Sequence, residues 1–237
     1  MEINLTKKPM NPLIIHGFPG FGLVGSISTE FLINHLNMED IGNIWIDDLP
    51  AMVAIHNEEV VQPIGVFYDK NHNIIILHVV TAAKDIEWKL AEALAQMADM
   101  LKAREILCIE GVNSNRETEN LSIFCYANKK TKKTELTKKG IKPLKEGIIV
   151  GVTSALLLKI KQSHDISCLF AETHSNFPDS KAAAKVIEAI DKYIGLSVDY
   201  KPLLETAKVM EDKLKNILTQ SAEVAKEKER KNLSYVG

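Results

Sequence analysis

The chain has 237 residues, of which 46% are hydrophobic and 25% are charged, and its formal net charge is −2 at pH 7. A chain of this length and composition buries a core without disulfides or a structural metal, and its small net charge indicates no particular class of partner. We expect no membrane span, because no apolar run approaches about 20 residues, and no signal peptide, because residues 1–10 are polar and carry lysines.

The cysteines indicate a reducing compartment. Cys108, Cys125 and Cys168 are odd in number, lie far apart and fall in apolar, strand-like runs. Such cysteines are typical of buried thiols in a cytoplasmic protein and not of disulfides or a metal site. We therefore expect a cytoplasmic protein with no bound metal.

A glycine-rich loop lies between the first clear strand and the first clear helix. Leu13–His16 is an apolar, strand-like run, and a helical pattern of apolar residues begins at Leu23. The loop between them contains Gly-x-Gly-x-x-Gly, which in dinucleotide-binding proteins brings a pyrophosphate to a helix N-terminus. However, Pro19 removes a backbone donor where an anion needs one. The alternative is a tight turn that needs close backbone packing, served by Gly17, Gly20, Gly22 and Gly25.

Residues 50–80 favour the structural interpretation of this loop. They contain three strand-like runs, Met52–His56, Pro63–Tyr68 and Ile74–Val80, and no helical period. The turn at 69–73 joins the last two runs and predicts an antiparallel hairpin. A dinucleotide-binding chain would instead continue with a crossover helix and a parallel strand. We therefore interpret the four glycines as a structural loop and expect no nucleotide cofactor.

Helix and strand signals alternate over the remainder of residues 1–200. The predicted helices cover 84–103, about 153–162 and 178–193, and the predicted strands cover 105–109, 122–127 and 166–171. This alternation is typical of an α/β domain with a largely parallel sheet between helices. No linker rich in Pro, Gly or Ser divides the region, so we predict a single domain.

The last predicted helix, within 201–228, differs from the others in its apolar period. Its apolar or small residues are spaced alternately by four and three positions, as in a coiled-coil seam. They are Leu203, Ala207, Met210, Leu214, Ile217, Ser221 and Val224. Four of them, Leu203, Met210, Leu214 and Ile217, are candidate contacts of a homo-oligomer. The alternative is a helix that lies across its own domain. Residues 229–237 are predicted to be a flexible tail.

A lysine-rich segment lies between residues 129 and 145. Eight lysines are opposed there by Glu135 alone, a composition that suits phosphate groups or an acidic protein surface. The segment has no arginine, and the nearby aromatic residues fall in a predicted strand. We therefore interpret it as a solvated surface of loop and helix and expect no nucleic-acid partner.

Three side chains form the candidate site of an enzyme. His16 ends the first strand, while Glu172 and His174 follow the strand at 166–171, so all three are predicted at the carboxyl edge of the sheet, where ligands bind. Glu172 would act as general base and a histidine as its proton partner. No nucleophile elbow, phosphate loop or zinc-binding helix motif accompanies them.

Two segments of the chain resemble a known family. The first is the loop His16-Gly-Phe-Pro-Gly-Phe-Gly-Leu-Val-Gly25, and the second is the helix start Phe177-Pro-Asp-Ser-Lys-Ala-Ala183. In this order and spacing they resemble the PAC2 family, the proteasome assembly chaperones and their archaeal relatives. The resemblance covers nearly the whole chain and implies an αβα sandwich of the phosphorylase/hydrolase type, with a mixed sheet that accommodates an antiparallel insertion.

The resemblance also implies a function. It indicates an archaeal, non-catalytic, homo-oligomeric chaperone of the cytoplasm that binds α-subunits of the 20S proteasome or their assembly intermediates. The alternative function is a nucleotide- or small-molecule-dependent enzyme, a ligase or hydrolase, that uses the loop Gly17–Gly25.

The last three residues, Tyr235, Val236 and Gly237, are the candidate partner-binding element. Proteasome activators and several assembly chaperones end in hydrophobic–tyrosine–any residue, which enters pockets between α-subunits. This chain departs from that pattern, because Tyr235 is third from the end and Val236 stands where tyrosine is usual. The alternative is a disordered tail with an incidental tyrosine.

Overall fold

A computed structural model of the protein describes residues 1–49, 53–56, 58–80, 85–113, 121–160, 163–173 and 178–205, together with residues 209, 213, 215–217, 219 and 220. The strands are β1 Glu2–Leu5, β2 Leu13–Gly17, β3 Glu39–Trp45, β4 Ala54–His56, β5 Glu59–Val61, β6 Ile64–Asp69, β7 Ile74–Val79, β8 Glu105–Asn113, β9 Ile123–Ala127, β10 Lys142–Pro143 and β11 Ile166–Thr173. The α-helices are α1 Val24–His35, α2 Glu87–Leu101, α3 Lys130–Lys138, α4 Val152–Ile160 and α5 Ser180–Ile194.

Nine of these strands form one mixed sheet in the order β1-β3-β6-β7-β2-β8-β11-β9-β10. The four central strands, β7, β2, β8 and β11, run parallel to one another. Antiparallel pairings flank them, with β6, β3 and β1 on one side and β9 on the other. The expected hairpin is confirmed, since β6 pairs antiparallel with β7.

Helices cover both faces of the sheet, because the central strands are apolar on both sides. Along β2, Leu13 and Ile15 point into the core under α1 and α5, whereas Ile14 points into the core under α2 and α4. This arrangement confirms the predicted αβα sandwich with a mixed sheet.

The structure adds short elements that the sequence analysis did not assign. Strand β1 lies at the sheet edge with no fully buried residue, so its sequence carries little hydrophobic signal. Strands β4 and β5 pair as a separate two-stranded sheet beside the main one. Helix α3 buries only Leu136 among its nine residues, which explains the absence of an apolar period in this lysine-rich segment.

The helical residues after α5 contact the domain from which they emerge. Residues 201–205 are helical, and Leu203 is buried in the core formed by α1 and α5. Further along, Lys213 Nζ lies 2.7 Å from Glu30 Oε1 on α1. Leu203 therefore serves its own domain and is excluded from the proposed oligomer contact. Met210 and Leu214 lie outside the described residues, as does the tail at 229–237.

None of the helices in the described ranges is both long and apolar enough to cross a bilayer.

Candidate functional site

The glycine loop connects β2 to α1 at the carboxyl edge of the central strands. It contains one 3-10 turn, Phe21–Leu23, in which Gly22 (φ 63°) and Leu23 (φ 48°) adopt left-handed conformations. Gly25, in the first turn of α1, packs on the backbones of β2 and β8, so that a Cβ atom there would lie 2.8 Å from the carbonyl oxygen of Ile109. The loop thus packs directly on the backbone at the end of β2 and in the middle of β8.

The loop is also tied to the start of α5. The backbone N–H of Asp179 donates to the carbonyl of Gly22 (2.8 Å), and the Thr173 hydroxyl donates to Asp179 Oδ2 (2.9 Å). Asp179 Oδ1 caps α5 by accepting from the N–H of Ala182 (2.9 Å). A phosphate at Gly22 would therefore meet a carboxylate, which is electrostatically unfavourable. Gly20 differs from its neighbours, because a Cβ atom there would meet only the carbonyl oxygen of Phe18, at 3.9 Å.

His16 is fully buried, and neither ring nitrogen has a hydrogen-bond partner among the described residues. Its ring contacts that of Phe18, with centroids 4.9 Å apart. Burial lowers the pKa of His16 from 6.5 to about 3, because the charged form is desolvated. A fully buried, neutral imidazole is a poor proton partner for a substrate.

The described structure does not bring His16 to Glu172. The register places His16 beside Cys108, and Cys108 beside Cys168, so Glu172 lies four residues further along the strand direction. Four residues of a strand span about 13 Å. Glu172 instead accepts a hydrogen bond from the N–H of Ser122 at 3.1 Å. His174 lies outside the described residues.

A cleft of about 970 Å³ opens beside the glycine loop. The ends of β8 and β11, which carry Glu110 and Glu172, form its floor. The segment 142–150 forms its far wall and contributes Lys142, Lys145 and Ile148. Phe21 of the glycine loop forms part of the rim. The sequence analysis placed Glu172 at this edge of the sheet but missed Glu110, because it ended the strand at Ile109, one residue earlier.

Glu110 is the polar residue of the cleft with the most unusual environment. Its Oε2 atom is buried and has no hydrogen-bond partner in the described part of the chain, and burial raises the pKa of its carboxyl from 4.5 to about 7. A hydrogen bond from Thr153, in the first turn of α4, opposes that shift. The group therefore changes its charge near neutral pH.

Part of the lysine-rich segment packs against the α/β domain. Lys132 Nζ lies 2.7 Å from Oε2 of the buried Glu105, and Tyr193 donates its hydroxyl to the same carboxylate (2.9 Å to Oε1). This ion pair raises the pKa of Lys132, although partial burial opposes the rise. Lys130 and Lys133 of α3 are exposed. Among the described residues, no group of three or more His, Cys, Asp or Glu side chains is placed to hold a metal ion.

Comparisons with known proteins place this architecture in a family. PbaA of Pyrococcus furiosus, described as an archaeal homolog of proteasome-assembly chaperone, is similar with a TM-score of 0.85 and 27% identity, over 94% of this chain and 100% of PbaA. Pyrococcus furiosus PbaB, described as an archaeal proteasome activator, shares the fold with a TM-score of 0.75 at 22% identity, over 91% and 98% of the two chains.

Sequence comparison leads to the same family. The uncharacterized protein MJ0106 of Methanocaldococcus jannaschii is 25% identical over 227 residues, which are 95% of this chain and 93% of MJ0106. The sequence model of the PAC2 family matches residues 14–218. The chain therefore belongs to the PAC2 family.

Proposed function

We propose that this protein is a non-catalytic, cytoplasmic chaperone of proteasome assembly that binds α-subunits of the 20S proteasome or their assembly intermediates. The observation that carries the proposal is the similarity to PbaA, which extends over 94% of the chain at 27% identity. Similarity over the whole chain supports a shared role better than a short motif does, because it includes the surfaces through which partners are bound.

The geometry of the carboxyl edge supports a binding protein over a nucleotide-dependent enzyme. The loop that carries the dinucleotide fingerprint packs against β8 through Gly25 and faces the Asp179 carboxylate through Gly22. The proposed proton partner, His16, is buried and neutral. These features count against a phosphate site at the loop and against His16 as the proton partner of Glu172, whereas the other candidate partner, His174, lies outside the described residues.

We further propose that the C-terminal region makes the partner contacts. Met210, Leu214 and Ile217 are assigned to contact between subunits of a homo-oligomer, and the tail end, Tyr235–Gly237, to a pocket on the α-subunits. One aromatic ring and one terminal carboxylate contribute only a few kcal/mol. Several tails presented by one oligomer would raise the affinity without any new contact, because each further binding event becomes intramolecular.

Affinity capture from a native lysate tests the proposal. The protein, tagged at its N-terminus, should retain proteasome α-subunits, identified by mass spectrometry, and a tagged α/β protein of another family serves as control. Capture of no proteasome subunit in repeated experiments would contradict the proposal.

Thermal unfolding with ATP, NAD and purine nucleosides tests the enzymatic alternative. A ligand at 100 times its Kd stabilises a protein by about 2.7 kcal/mol. A chaperone should keep its unfolding temperature in each nucleotide, whereas a clear rise that Gly22→Ala abolishes would favour the enzyme.

A further inference from the structure

The cleft at the ends of β8 and β11 has the location and size of a ligand site. Small-molecule sites in open α/β sheets lie at the carboxyl ends of parallel strands and commonly enclose about 300–1,000 Å³. This cleft, at about 970 Å³, lies at the carboxyl ends of two central parallel strands. Neither of the proposed partner contacts, the C-terminal helix or the tail, uses any residue that lines it.

The floor of the cleft carries two carboxyl groups on one face of the sheet. Glu110 pairs with Phe170, and Glu172 pairs with Val112, so the two glutamates stand on neighbouring strands two residues apart in register. Strand spacing and rise place their Cα atoms about 8 Å apart. Side chains at this separation on one face are able to approach a single bound group from two sides.

The carboxyl group of Glu110 is only partly satisfied. Thr153 supplies one hydrogen bond, but within the described residues Oε2 has no hydrogen-bond partner and Glu110 forms no ion pair. An unsatisfied buried acceptor is destabilising, and a cationic donor satisfies it best because a charge-assisted hydrogen bond is stronger than a neutral one. Lys142 and Lys145 of the far wall are exposed, and neither forms an ion pair with Glu110.

Part of the rim of the cleft is apolar. Ile148 is 91% exposed and Val150 59%, and both belong to the segment that faces Phe21, which is itself 38% exposed. Large apolar side chains exposed around a cleft with few polar groups are typical of sites that hold an apolar skeleton and orient it through those groups.

We propose that this cleft binds an organic cation, an ammonium or guanidinium group on an apolar chain, with the charged group received by Glu110 and the chain lying against Phe21, Ile148 and Val150. The cation is either a free amine or guanidine or a lysine or arginine side chain of a bound polypeptide, because both present the same chemistry. The proposal does not depend on the proteasome as partner.

Binding should strengthen between pH 6 and pH 8, as Glu110 loses its proton. With a carboxyl pKa of about 7, the ionised fraction rises about tenfold over this interval, and affinity should rise by about the same factor. The charged or titratable groups that face Glu110 are Cys108 on β8, Cys168 and Glu172 on β11, His16 on β2, and Lys142, Lys145 and Glu146 on the far wall. Burial raises the pKa of the Cys108 thiol well above 9.0, so that this thiol stays neutral throughout the interval.

Calorimetry and methyl NMR with two probes test the proposal. The probes are agmatine, a free guanidine, and the capped tripeptide Ac-Leu-Arg-Leu-NH2, with Ac-Leu-Gln-Leu-NH2 as uncharged control. At least one cationic probe should bind saturably at pH 8, and the control peptide at least tenfold more weakly. Tighter binding of the tripeptide indicates a polypeptide side chain as the natural ligand, and equal or tighter binding of agmatine indicates a free cation.

Two matched variants assign the binding to Glu110. Glu110→Gln should raise the Kd about tenfold at pH 8 and remove the pH dependence, whereas Glu146→Gln, which removes an exposed charge from the same cleft, should change the Kd less than twofold. Should Glu110→Gln fail to fold, probe-induced shifts of the Ile148 and Val150 methyl groups in the parent protein decide the question. Absence of saturable binding, an unchanged Kd in Glu110→Gln, or unperturbed methyl groups at both positions would overturn the proposal.

Discussion

Gly17 and Gly25 are packed so closely that a Cβ atom on Gly17 would lie 2.3 Å from the carbonyl oxygen of Gly25. The contact joins the end of β2 to the first turn of α1 through backbone atoms alone. No side-chain movement is able to relieve a clash with backbone. Gly17→Ala should therefore lower the free energy of unfolding by several kcal/mol, on the order of the largest effects of single substitutions, or prevent folding. Chemical denaturation of the purified variant measures the loss.

The other loop glycines provide graded controls for this prediction. Gly22→Ala places a methyl group at a positive φ (63°) and 2.7 Å from Thr173 Oγ1, and should lower stability by about 1 kcal/mol or more. Gly20→Ala adds only an ordinary contact with the carbonyl oxygen of Phe18 (3.9 Å) at an extended backbone, and should leave stability within about 0.5 kcal/mol. Equal effects at Gly17 and Gly20 would mean that backbone packing is not what these glycines provide.

His16 should make the protein sensitive to acid. The unfolded chain protonates this histidine near pH 6.5, whereas in the folded protein its pKa is about 3. Between these values the unfolded state binds more protons, so the free energy of unfolding falls as the pH falls, by about 1.4 kcal/mol per pH unit. His16→Leu, which fills the apolar site without a titrating group, should lack this slope when compared with the parent protein between pH 6.5 and pH 4.5.

The comparison of parent and variant removes the contributions of other titrating groups. Glu110, for example, acts in the opposite direction, because its raised pKa stabilises the fold as the pH falls from about 7. His35→Gln serves as the control, since that side chain is exposed. If His16→Leu keeps the parent's pH profile, the buried imidazole has access to protons that the structure does not indicate.

The C-terminal helix should contribute to an oligomer through positions beyond Lys213. Leu214→Glu combined with Ile217→Glu should shift the mass measured by light scattering toward the 26.4 kDa protomer, because charge on a coiled-coil seam opposes association. The buried Leu203 is unsuitable for this test, since its substitution would disturb the core of the domain. A folded double variant with the parent's mass would assign the helix to its own domain.

Deletion of Tyr235–Gly237 should abolish the retention of α-subunits while fold and oligomer mass stay unchanged. The tail lies far in sequence from the core, so its removal should not affect packing. Circular dichroism and light scattering establish that the truncated protein is intact before it is used for capture. Undiminished capture by the truncated protein would move the interface to the globular domain.

The sequence alone was sufficient to predict the central sheet and the helices that cover it, but it was not sufficient to predict the cleft. The central strands are nearly continuous apolar runs, and α2 and α5 have clear helical periods. The pattern of apolar residues alone therefore identifies these elements. The sequence analysis ended strand β8 at Ile109, because the following Glu110 and Gly111 resemble the end of a strand. In the structure, pairing with β11 extends β8 to Asn113. The separation of His16 from Glu172 depends on register, which single-sequence patterns do not determine.

Binding of purified α-subunits is the most direct test of the chaperone proposal. The protein and the proteasome α-subunits of the same organism are mixed at micromolar concentrations and followed by sedimentation velocity, with each component alone as reference. We predict a new, faster-sedimenting species that contains both proteins and forms without nucleotide. Independent sedimentation of the two components at all concentrations up to about 100 μM, where even weak specific complexes form, would contradict the proposed function.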